Sequence, residues 1–151
     1  MSPLLTEEEI AFLASLAASD VAYMVVGMSA AILQGVPGTT QDIDLWLRNG
    51  QSEKLSEACE RVGGRFAWRA GPPMAVGRGL EQFDLVWRCD GLGEFDEEAR
   101  RAEVVDLSPG LGVRVLPLDR VLVSKEASGR PKDLAVLPML RDVLAQLSRE
   151  R

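Results

Sequence analysis

The sequence has no histidine and only two cysteines, Cys59 and Cys89, which lie far apart in the chain. Zinc sites and redox motifs need histidine or cysteine residues at short spacings, so both of these classes of site are excluded. We expect two buried free thiols, since the alternative, a disulfide, is rare in a reducing compartment.

Long apolar segments are missing as well. The longest mostly apolar stretch covers residues 21–33, which is shorter than the ~20 residues that cross a bilayer. The segment 1–10 is acidic rather than basic and contains no small-residue cleavage site, so it does not have the pattern of a secretory signal. These absences predict a cytoplasmic protein without a membrane partner.

Basic residues are outnumbered by acidic ones. The 151 residues include 17 Lys and Arg against 23 Asp and Glu, which gives a net charge of -6 and a pI near 4.8. Proteins that cover nucleic acid by counterion release need a basic surface, so extended DNA binding is excluded. The hydrophobic share of 46% is that of a soluble globular protein. The length predicts one domain, spanning residues 1–151.

Hydrophobic periodicity predicts a mixture of helices and short strands. Thr6 and Glu9 form a capping box at the start of the first helix, and an apolar run ending at Gly27 predicts a strand buried on both faces. The predicted helices cover residues 6–18, 29–34, 52–62 and 132–147, and another begins at the cap Asp119. The predicted strands cover residues 21–26, 42–47, 66–69, 80–88, 103–107 and 112–116. Glycine-rich loops are predicted at residues 35–40 and 71–79. Because helices and strands do not alternate strictly, we expect an α+β fold in which helices pack against a mixed β-sheet.

Three aspartates on two predicted strands are candidate metal ligands. Asp42 and Asp44 alternate with apolar residues, so both point from one face of their strand, and Asp84 lies in the middle of a later strand on its less apolar side. Close carboxylates repel each other unless divalent cations lie between them, and magnesium binds such oxygen ligands together with substrate phosphates. On its own, however, an Asp-x-Asp pair is more often a solvent-exposed acidic face.

The residues before the acidic pair favour the metal hypothesis. Gly27 ends the buried strand and is followed by Met28, Ser29 and a short predicted helix, after which a loop leads to Asp42. Backbone amides at the N-terminus of a helix bind anions, and the Ser29 hydroxyl adds a donor. A turn that can accept phosphate and an acidic pair therefore lie within one compact unit.

Two segments resemble a known group of proteins. The segment YMVVGMSAAILQGVPGTTQDIDLWL is similar to the signature of the nucleotidyltransferase-fold superfamily, in which a strand, a small-residue turn, a short helix and an Asp-x-Asp strand precede a third acidic residue. The segment LDRVLVSKEASGRPKDL resembles a helix and an Arg-Pro-Lys-Asp turn of small bacterial proteins related to the nucleotidyltransferase toxins of toxin–antitoxin systems. Together these matches span most of residues 23–134.

The resemblance implies a nucleotidyltransferase that uses a nucleoside triphosphate (NTP). Gly27 and Ser29 would contact the triphosphate, and Lys125 would reach its phosphates as a point charge. Mg2+ or Mn2+ would be held by three aspartates, Asp42, Asp44 and Asp84, of which Asp84 would also help to activate the attacking hydroxyl. The implied reaction is in-line attack on the α-phosphate with pyrophosphate leaving. RNA, protein or a small molecule is the implied acceptor, and an antitoxin is an implied partner.

Two positions depart from the pattern of the superfamily. Met28 stands where relatives usually have a second small residue, and its side chain would crowd the approach of a phosphate to the backbone. Gly38 stands where relatives often have an arginine, so the loop lacks a positive charge. The alternative function is therefore a catalytically degenerate protein of the same fold that binds nucleotides or a partner. Metal-dependent hydrolysis of phosphoesters is a third hypothesis, but it gives no reason for the glycine-serine turn.

Further candidate residues have two interpretations each. A charged group formed by Lys125, Arg130, Lys132 and Asp133 is either a phosphate-binding cluster or a helix junction held by salt bridges. The tryptophans, Trp46, Trp68 and Trp87, favour packing over stacking on bases. The acidic run 94–101 is expected to be a solvated helix face, with partner binding as the minor alternative. The glycine-rich segment 77–79 favours a surface loop.

Overall fold

The computed structural model describes residues 5–39, 42–67 and 73–150. Its first helix, α1 (Glu7–Ala18), begins after Thr6, as predicted. The Thr6 hydroxyl accepts a hydrogen bond from the Glu9 amide at 3.1 Å, and the Glu9 carboxylate accepts one from the Thr6 amide at 2.8 Å. These two bonds satisfy amides that have no partner inside the helix, so the capping box sets where α1 begins.

Six of the seven short strands in the described residues correspond to predicted strands, and the remaining one, Met74–Val76, lies in the segment 71–79 that was predicted as a loop. Their bounds are β1 Tyr23–Val26, β2 Ile43–Leu47, β3 Arg65–Ala67, β4 Met74–Val76, β5 Phe83–Val86, β6 Glu103–Ser108 and β7 Leu111–Val115. Five of them form one sheet in the order β5-β2-β1-β7-β6 within the described part of the chain, and β3 pairs with β4 in a separate hairpin. In the larger sheet β1 lies antiparallel to β2 and parallel to β7, while β5 lies parallel to β2. The predicted mixed sheet is confirmed.

The centre of the sheet carries the hydrophobic core. Every residue of β1 is buried, as expected of an apolar strand covered on both faces. Trp46 in β2 is buried and packs edge-on against Phe95, with ring centroids 5.6 Å apart. Packing, rather than base stacking, is therefore the role of Trp46. The Gln51 side chain joins the neighbouring chain segments, because its Oε1 accepts a hydrogen bond from the Ala22 amide at 2.7 Å.

The remaining helices pack on the sheet and on each other. Their bounds are α2 Gly27–Leu33, α3 Ser52–Arg61, α4 Phe95–Ala99, α5 Leu118–Ser128, α6 Pro131–Ala135 and α7 Leu137–Glu150. Helix α1 packs against α3, and both α2 and α7 pack against α5. No described helix has both the length and the apolar character that a membrane span requires.

Several element boundaries differ from the predictions. Helix α2 begins at Gly27 rather than at residue 29, because Gly27 itself turns the chain out of β1 with a φ of 65°. Residues Leu80–Gln82 form a short 3-10 helix, so β5 begins later than predicted. Pro117, not Asp119, precedes the first residue of α5, and Asp119 lies inside its first turn.

The last predicted helix, residues 132–147, is divided in two. Helix α6 ends at Ala135, Val136 is its cap, and α7 begins at Leu137. Pro138 follows directly, and a proline has no amide hydrogen to donate to the carbonyl of the preceding turn. The chain therefore starts a new helix with Pro138 in its first turn, where an unpaired nitrogen costs little.

The acidic run 94–101 is not a uniformly solvated face. It contains α4, but Glu98 in that helix is only 3% exposed and forms an ion pair with Arg120 at 2.7 Å. The prediction was wrong for this residue because its partner lies in α5, outside the local pattern. Predictions that concern Thr40, Trp68, Arg69 and Gly71 lie outside the described residues.

Candidate active site

The register of the sheet places two of the predicted aspartates side by side. Strands β2 and β5 are parallel neighbours, and Asp44 is paired directly with Asp84. On the other side of β2, Val26 at the end of β1 is paired with Asp44. Because Gly27 follows Val26, the turn and both carboxylates lie at the same end of the three neighbouring strands β1, β2 and β5. The expectation that the two acidic strands are neighbours is confirmed.

The pKa of Asp44 is strongly perturbed. Its pKa is raised from 3.8 to about 6, mainly by burial and then by the negative charge of Asp84. Asp42 and a hydrogen bond with Asp84 raise the pKa further, whereas the positive charge of Lys125 lowers it. The cluster is therefore rich in negative charge, and Lys125 is a cation within its electrostatic reach. A divalent cation would relieve this repulsion.

Asp42 takes a more peripheral position than the other two. It is exposed, directly precedes β2, and influences Asp44 through its charge. In segments 5–39, 42–67 and 73–150, no three acidic or cysteine side chains are arranged to hold one metal ion. Asp44 and Asp84 are the closely placed pair, and Mg2+ commonly uses one or two carboxylates together with substrate phosphates.

Gly27 lies so close to Asp44 that no side chain fits between them. A Cβ atom built on Gly27 would overlap the Asp44 carboxylate. The φ of 65° is also a conformation that other residues adopt only at a cost. Both constraints explain the glycine at this turn, and they hold the backbone of the turn directly against the acidic cluster.

The Ser29 hydroxyl is engaged within the protein. It is 4% exposed, donates a hydrogen bond to the Val26 carbonyl at 2.9 Å, and accepts one from the Asp44 amide at 3.1 Å. These bonds tie the end of β1 to the start of β2. Contact between Ser29 and a triphosphate stays a prediction, and in the structure the hydroxyl positions Asp44.

The charged group near Lys125 is resolved into two parts. Asp133 is 1% exposed and accepts hydrogen bonds from Lys125 Nζ at 3.0 Å and from Arg130 Nε at 2.6 Å. Lys132 is exposed and does not share this carboxylate. The interpretation as a helix junction is confirmed for Lys125, Arg130 and Asp133, because their salt bridges join α5 to α6. Phosphate binding by this group stays a prediction.

A cavity of about 220 Å³ lies between the Gly27 turn, Asp44 and α5, and Asp84 is not among the residues that line it. Its lining includes the backbone at Gly27, the Asp44 carboxylate, and the side chains of Lys125 and Arg130. Met28 does not line it, since its side chain packs against the hydrophobic core. The predicted crowding by Met28 is therefore absent from this cavity. Gly38, with a φ of 139°, also lies away from its lining.

The sequence interpretation missed several residues of the cavity. Four of them, Arg88, Asp90, Ser124 and Ser128, carry charged or hydroxyl groups, and the Ser128 hydroxyl donates to the Asp90 carboxylate at 3.1 Å. A helical pattern could have identified the two serines, because residues 121, 124, 125 and 128 share one face of α5 with Lys125. Asp90 carries no comparable signal, since it follows β5 in irregular chain.

Both thiols are free, as predicted, but only Cys59 is also buried. Cys59 is buried and free, and burial raises its pKa to about 11. Cys89 is half-buried and free, and it lines the cavity; burial and then the charge of Asp44 raise its pKa to about 12. Both side chains are therefore neutral thiols at physiological pH.

Comparisons with known proteins find a likeness in fold alone. No protein-family model matches the sequence, and no curated protein sequence matches it significantly. A crystal structure of ANT(2'')-Ia in complex with adenylyl-2''-tobramycin superposes with a TM-score of 0.56 and 20% identity, covering 92% of this chain and 88% of that one.

A solution structure of the antibiotic-resistance factor ANT(2'')-Ia gives the same TM-score of 0.56 and 20% identity, with 89% of this chain and 80% of that one covered. ANT(2'')-Ia is an aminoglycoside nucleotidyltransferase. The resemblance to toxin–antitoxin proteins stays a prediction. The chain has the nucleotidyltransferase fold, built as a five-stranded mixed sheet with helices packed against it.

Proposed function

We propose that the protein is a metal-dependent nucleotidyltransferase that moves a nucleoside monophosphate from an NTP to a hydroxyl group. The observation that carries this proposal is the direct pairing of Asp44 with Asp84 beside the Gly27 turn, with Lys125 across the same cavity. An acidic pair next to a glycine turn and a cation is the arrangement that phosphoryl transfer needs, since the acids hold metal and the cation holds phosphate.

The acidic cluster fits a divalent cation such as Mg2+ or Mn2+. Burial and neighbouring carboxylates make the charged form of Asp44 unfavourable without a counter-charge, and a bound cation would supply one. Asp44 and Asp84 would be its ligands, and Asp42 would join them by moving its exposed side chain. When bound, the metal neutralises charge that develops on the phosphate oxygens.

The reaction divides between the two sides of the cavity. An acceptor hydroxyl oxygen attacks the α-phosphorus in line, the bond from that phosphorus to the bridging oxygen breaks, and pyrophosphate leaves. Asp84, exposed at the edge strand β5, takes the proton of the hydroxyl. Lys125 neutralises the leaving phosphates, and Ser29 keeps Asp44 in place through its two hydrogen bonds. Catalysis then comes mainly from positioning and charge.

We favour a small molecule as the source of the acceptor hydroxyl, and the fold is the reason. ANT(2'')-Ia, which has the same fold, was solved with an adenylylated small molecule. RNA and protein remain alternative acceptors, and with either of these an antitoxin would be a partner. The negative net charge disfavours a long RNA, because such an acceptor needs a basic path beyond the cavity.

One observation favours the alternative, a catalytically degenerate protein that binds nucleotides. The Lys125 ammonium and the Ser29 hydroxyl are already engaged by Asp133, Val26 and Asp44. In the alternative these groups are structural and the cavity only senses nucleotide. The enzyme keeps first place because, within residues 5–39, 42–67 and 73–150, neither Asp44 nor Asp84 forms a salt bridge that would explain the paired carboxylates.

A transfer assay separates the two functions. The protein is incubated with each α-labelled NTP, with Mg2+ or Mn2+, and separately with total RNA, cell protein or a panel of small hydroxyl compounds that includes aminoglycosides. We expect labelled product with one acceptor class and none after Asp84→Asn. A matched control is Asp106→Asn, which removes an exposed aspartate from β6, at the opposite edge of the sheet.

The control variant should keep the wild-type rate. Nucleotide binding without transfer to any acceptor would establish the sensing protein instead. Equal loss of activity in both aspartate variants would show that the effect of Asp84→Asn comes from net charge or folding and not from the site.

A further inference from the structure

We propose that Arg130 is a second triphosphate-binding residue and that the buried Asp133 is the positioning residue that holds it beside Lys125. This inference rests on the proposed function, since it assumes that the cavity takes a triphosphate. It goes further because it assigns different roles within the group formed by Lys125, Arg130, Lys132 and Asp133. Lys125 and Arg130 face the ligand, whereas Asp133 does not.

The geometry of Asp133 is the first support. A carboxylate that is 1% exposed is costly to bury unless its oxygens are paired. Both oxygens are paired here, Oδ1 with Lys125 Nζ at 3.0 Å and Oδ2 with Arg130 Nε at 2.6 Å. One buried anion thus fixes two cations side by side, across the junction between α5 and α6.

The charge balance of this trio is the second support. Two cations share one carboxylate, so this trio carries a net positive charge. Apart from Asp44, the other charged residues of the lining are Arg88 and Asp90, which lie 3.8 Å apart and have opposite charges. Lys125 is 17% exposed and Arg130 is 60% exposed, and both line the cavity opposite Asp44. The Arg130 guanidinium still has nitrogen donors that do not point at Asp133, which suits the oxygens of a phosphate.

The electrostatic field agrees with this placement. Burial alone would raise the pKa of Asp133, but hydrogen bonds from Arg130 and Lys125 outweigh it and lower that pKa. The pKa of Arg130 is raised, first by its hydrogen bond to Asp133, with smaller contributions from Asp90 and Asp44. The guanidinium therefore lies within the field of the acidic side of the cavity.

The size of the cavity indicates which part of the substrate these residues contact. A volume of about 220 Å³ is below the roughly 300 to 1,000 Å³ that encloses a drug-sized ligand. The cavity can hold the phosphate chain, while the nucleoside extends beyond it. Lys125 and Arg130 would then bind the phosphates that leave, opposite the acid pair that holds the metal.

Two neighbouring arginine and lysine positions provide a matched test. Arg130→Gln and Lys132→Gln remove the same charge two residues apart, and both side chains are exposed enough to change without a cavity. Binding of magnesium tripolyphosphate is measured by calorimetry. We expect Arg130→Gln to weaken binding at least about tenfold, as expected for loss of a charged hydrogen bond. Lys132→Gln should change binding less than about twofold.

Asp133→Asn tests the positioning role, because positioning and net charge predict opposite changes in the binding of tripolyphosphate. If only net charge mattered, removing an anion would strengthen the binding of tripolyphosphate. We expect it to weaken binding about tenfold, because Lys125 and Arg130 lose the group that orients them. Unchanged or tighter binding in this variant, with thermal melting showing a folded protein, overturns the positioning role.

The two proposals fail separately. Equal effects of Arg130→Gln and Lys132→Gln, or no binding of magnesium tripolyphosphate by the wild type, overturn the assignment of Arg130. If the wild type binds and Arg130→Gln does not, yet no acceptor receives label in the transfer assay, the phosphate site stands and the enzyme is replaced by a sensing protein.

Discussion

Gly27 is constrained twice, by its backbone conformation and by the side chain it faces. Its φ is 65°, and any Cβ would overlap the Asp44 carboxylate. The sequence predicted a glycine turn here from the end of an apolar run, but it gave no sign of the contact with Asp44, which comes from a residue 17 positions later. The sequence therefore predicts which residue the turn needs, but it does not predict which side chain that residue contacts.

A pair of glycine substitutions measures the second constraint. We expect Gly27→Ala to lower the free energy of unfolding by more than about 2 kcal/mol, since strain from positive φ costs about 1 to 2 kcal/mol and the overlap adds to it. Gly35 is the control, with a φ of 104° and no described atom within 4 Å of a built Cβ. Urea denaturation of both alanine variants gives the difference, and equal losses would show that strain alone explains Gly27.

The sequence predicted the positions of two candidate metal ligands but not the hydrogen bonds of Ser29. Alternation along the strand identified Asp44, and the same alternation placed Asp84 on the polar side of a later strand. The engagement of Ser29 could not be predicted, since its partners are a carbonyl and an amide whose positions depend on how β1 and β2 pair.

Among the secondary structure elements, α4 and α5 are joined by a buried ion pair. Glu98 accepts hydrogen bonds from Arg120 Nε at 3.0 Å and Nη2 at 2.7 Å, and it also accepts one from the Gly93 amide at 2.9 Å. These bonds fasten the segment after β5, part of which lines the cavity, to α5. Local sequence suggested only a charged helix face, because ion pairing across 22 residues leaves no periodic signal.

The pH dependence of stability reports on this pair. Hydrogen bonds from Arg120 outweigh burial and lower the pKa of Glu98 below its ordinary value of 4.5. The stabilisation is therefore fully present above pH 4.5 and is lost as the pH falls through the lower value of the folded state. Asp133, whose pKa is also lowered, contributes in the same direction.

Substitution of Glu98 measures how much this residue contributes to the stability of the fold. Glu98→Gln should cost about 3 kcal/mol at pH 7, since it leaves a buried cation without its counter-charge. The loss of stability on acidification should also be smaller in this variant than in the wild type. Glu97→Gln, which changes an exposed neighbour in α4, serves as the control. Both variants are measured by chemical denaturation from pH 3 to pH 7. Equal stability of the two variants across this range would contradict the role assigned to Glu98.

Helices α6 and α7 show a different limit of sequence interpretation. Their apolar positions continue one helical pattern, so periodicity alone predicted a single helix over residues 132–147. The break at Val136 depends on Pro138, whose missing amide hydrogen ends one set of hydrogen bonds and permits another to start. Placing Asp133 in the separate short helix α6 is what brings its carboxylate under α5.

For the molecule as a whole, the sheet order is what brings the candidate site together. Strand positions were largely predictable from alternation, and most strand boundaries agree within a few residues. The order β5-β2-β1-β7-β6 depends on long-range packing that no single segment encodes. It puts Asp44 in a strand flanked by Asp84 on one side and by the Gly27 turn on the other.

Ligand binding should therefore stabilise the whole fold. At a free concentration of about 100 times Kd, a magnesium-bound NTP adds about 2.7 kcal/mol, which corresponds to a rise in Tm of about 5 to 10 °C for a domain of this size. The shift should follow the NTP concentration, disappear with EDTA, and be absent in Asp44→Asn. A shift that persists in EDTA would point to nucleotide binding without metal.

The close approach of Gly27 to Asp44 couples the two positions energetically. A smaller residue at position 44 would leave room for a side chain at the turn, so the cost of replacing Gly27 depends on which residue stands at position 44. The free energies of substitution at the two positions are therefore not additive.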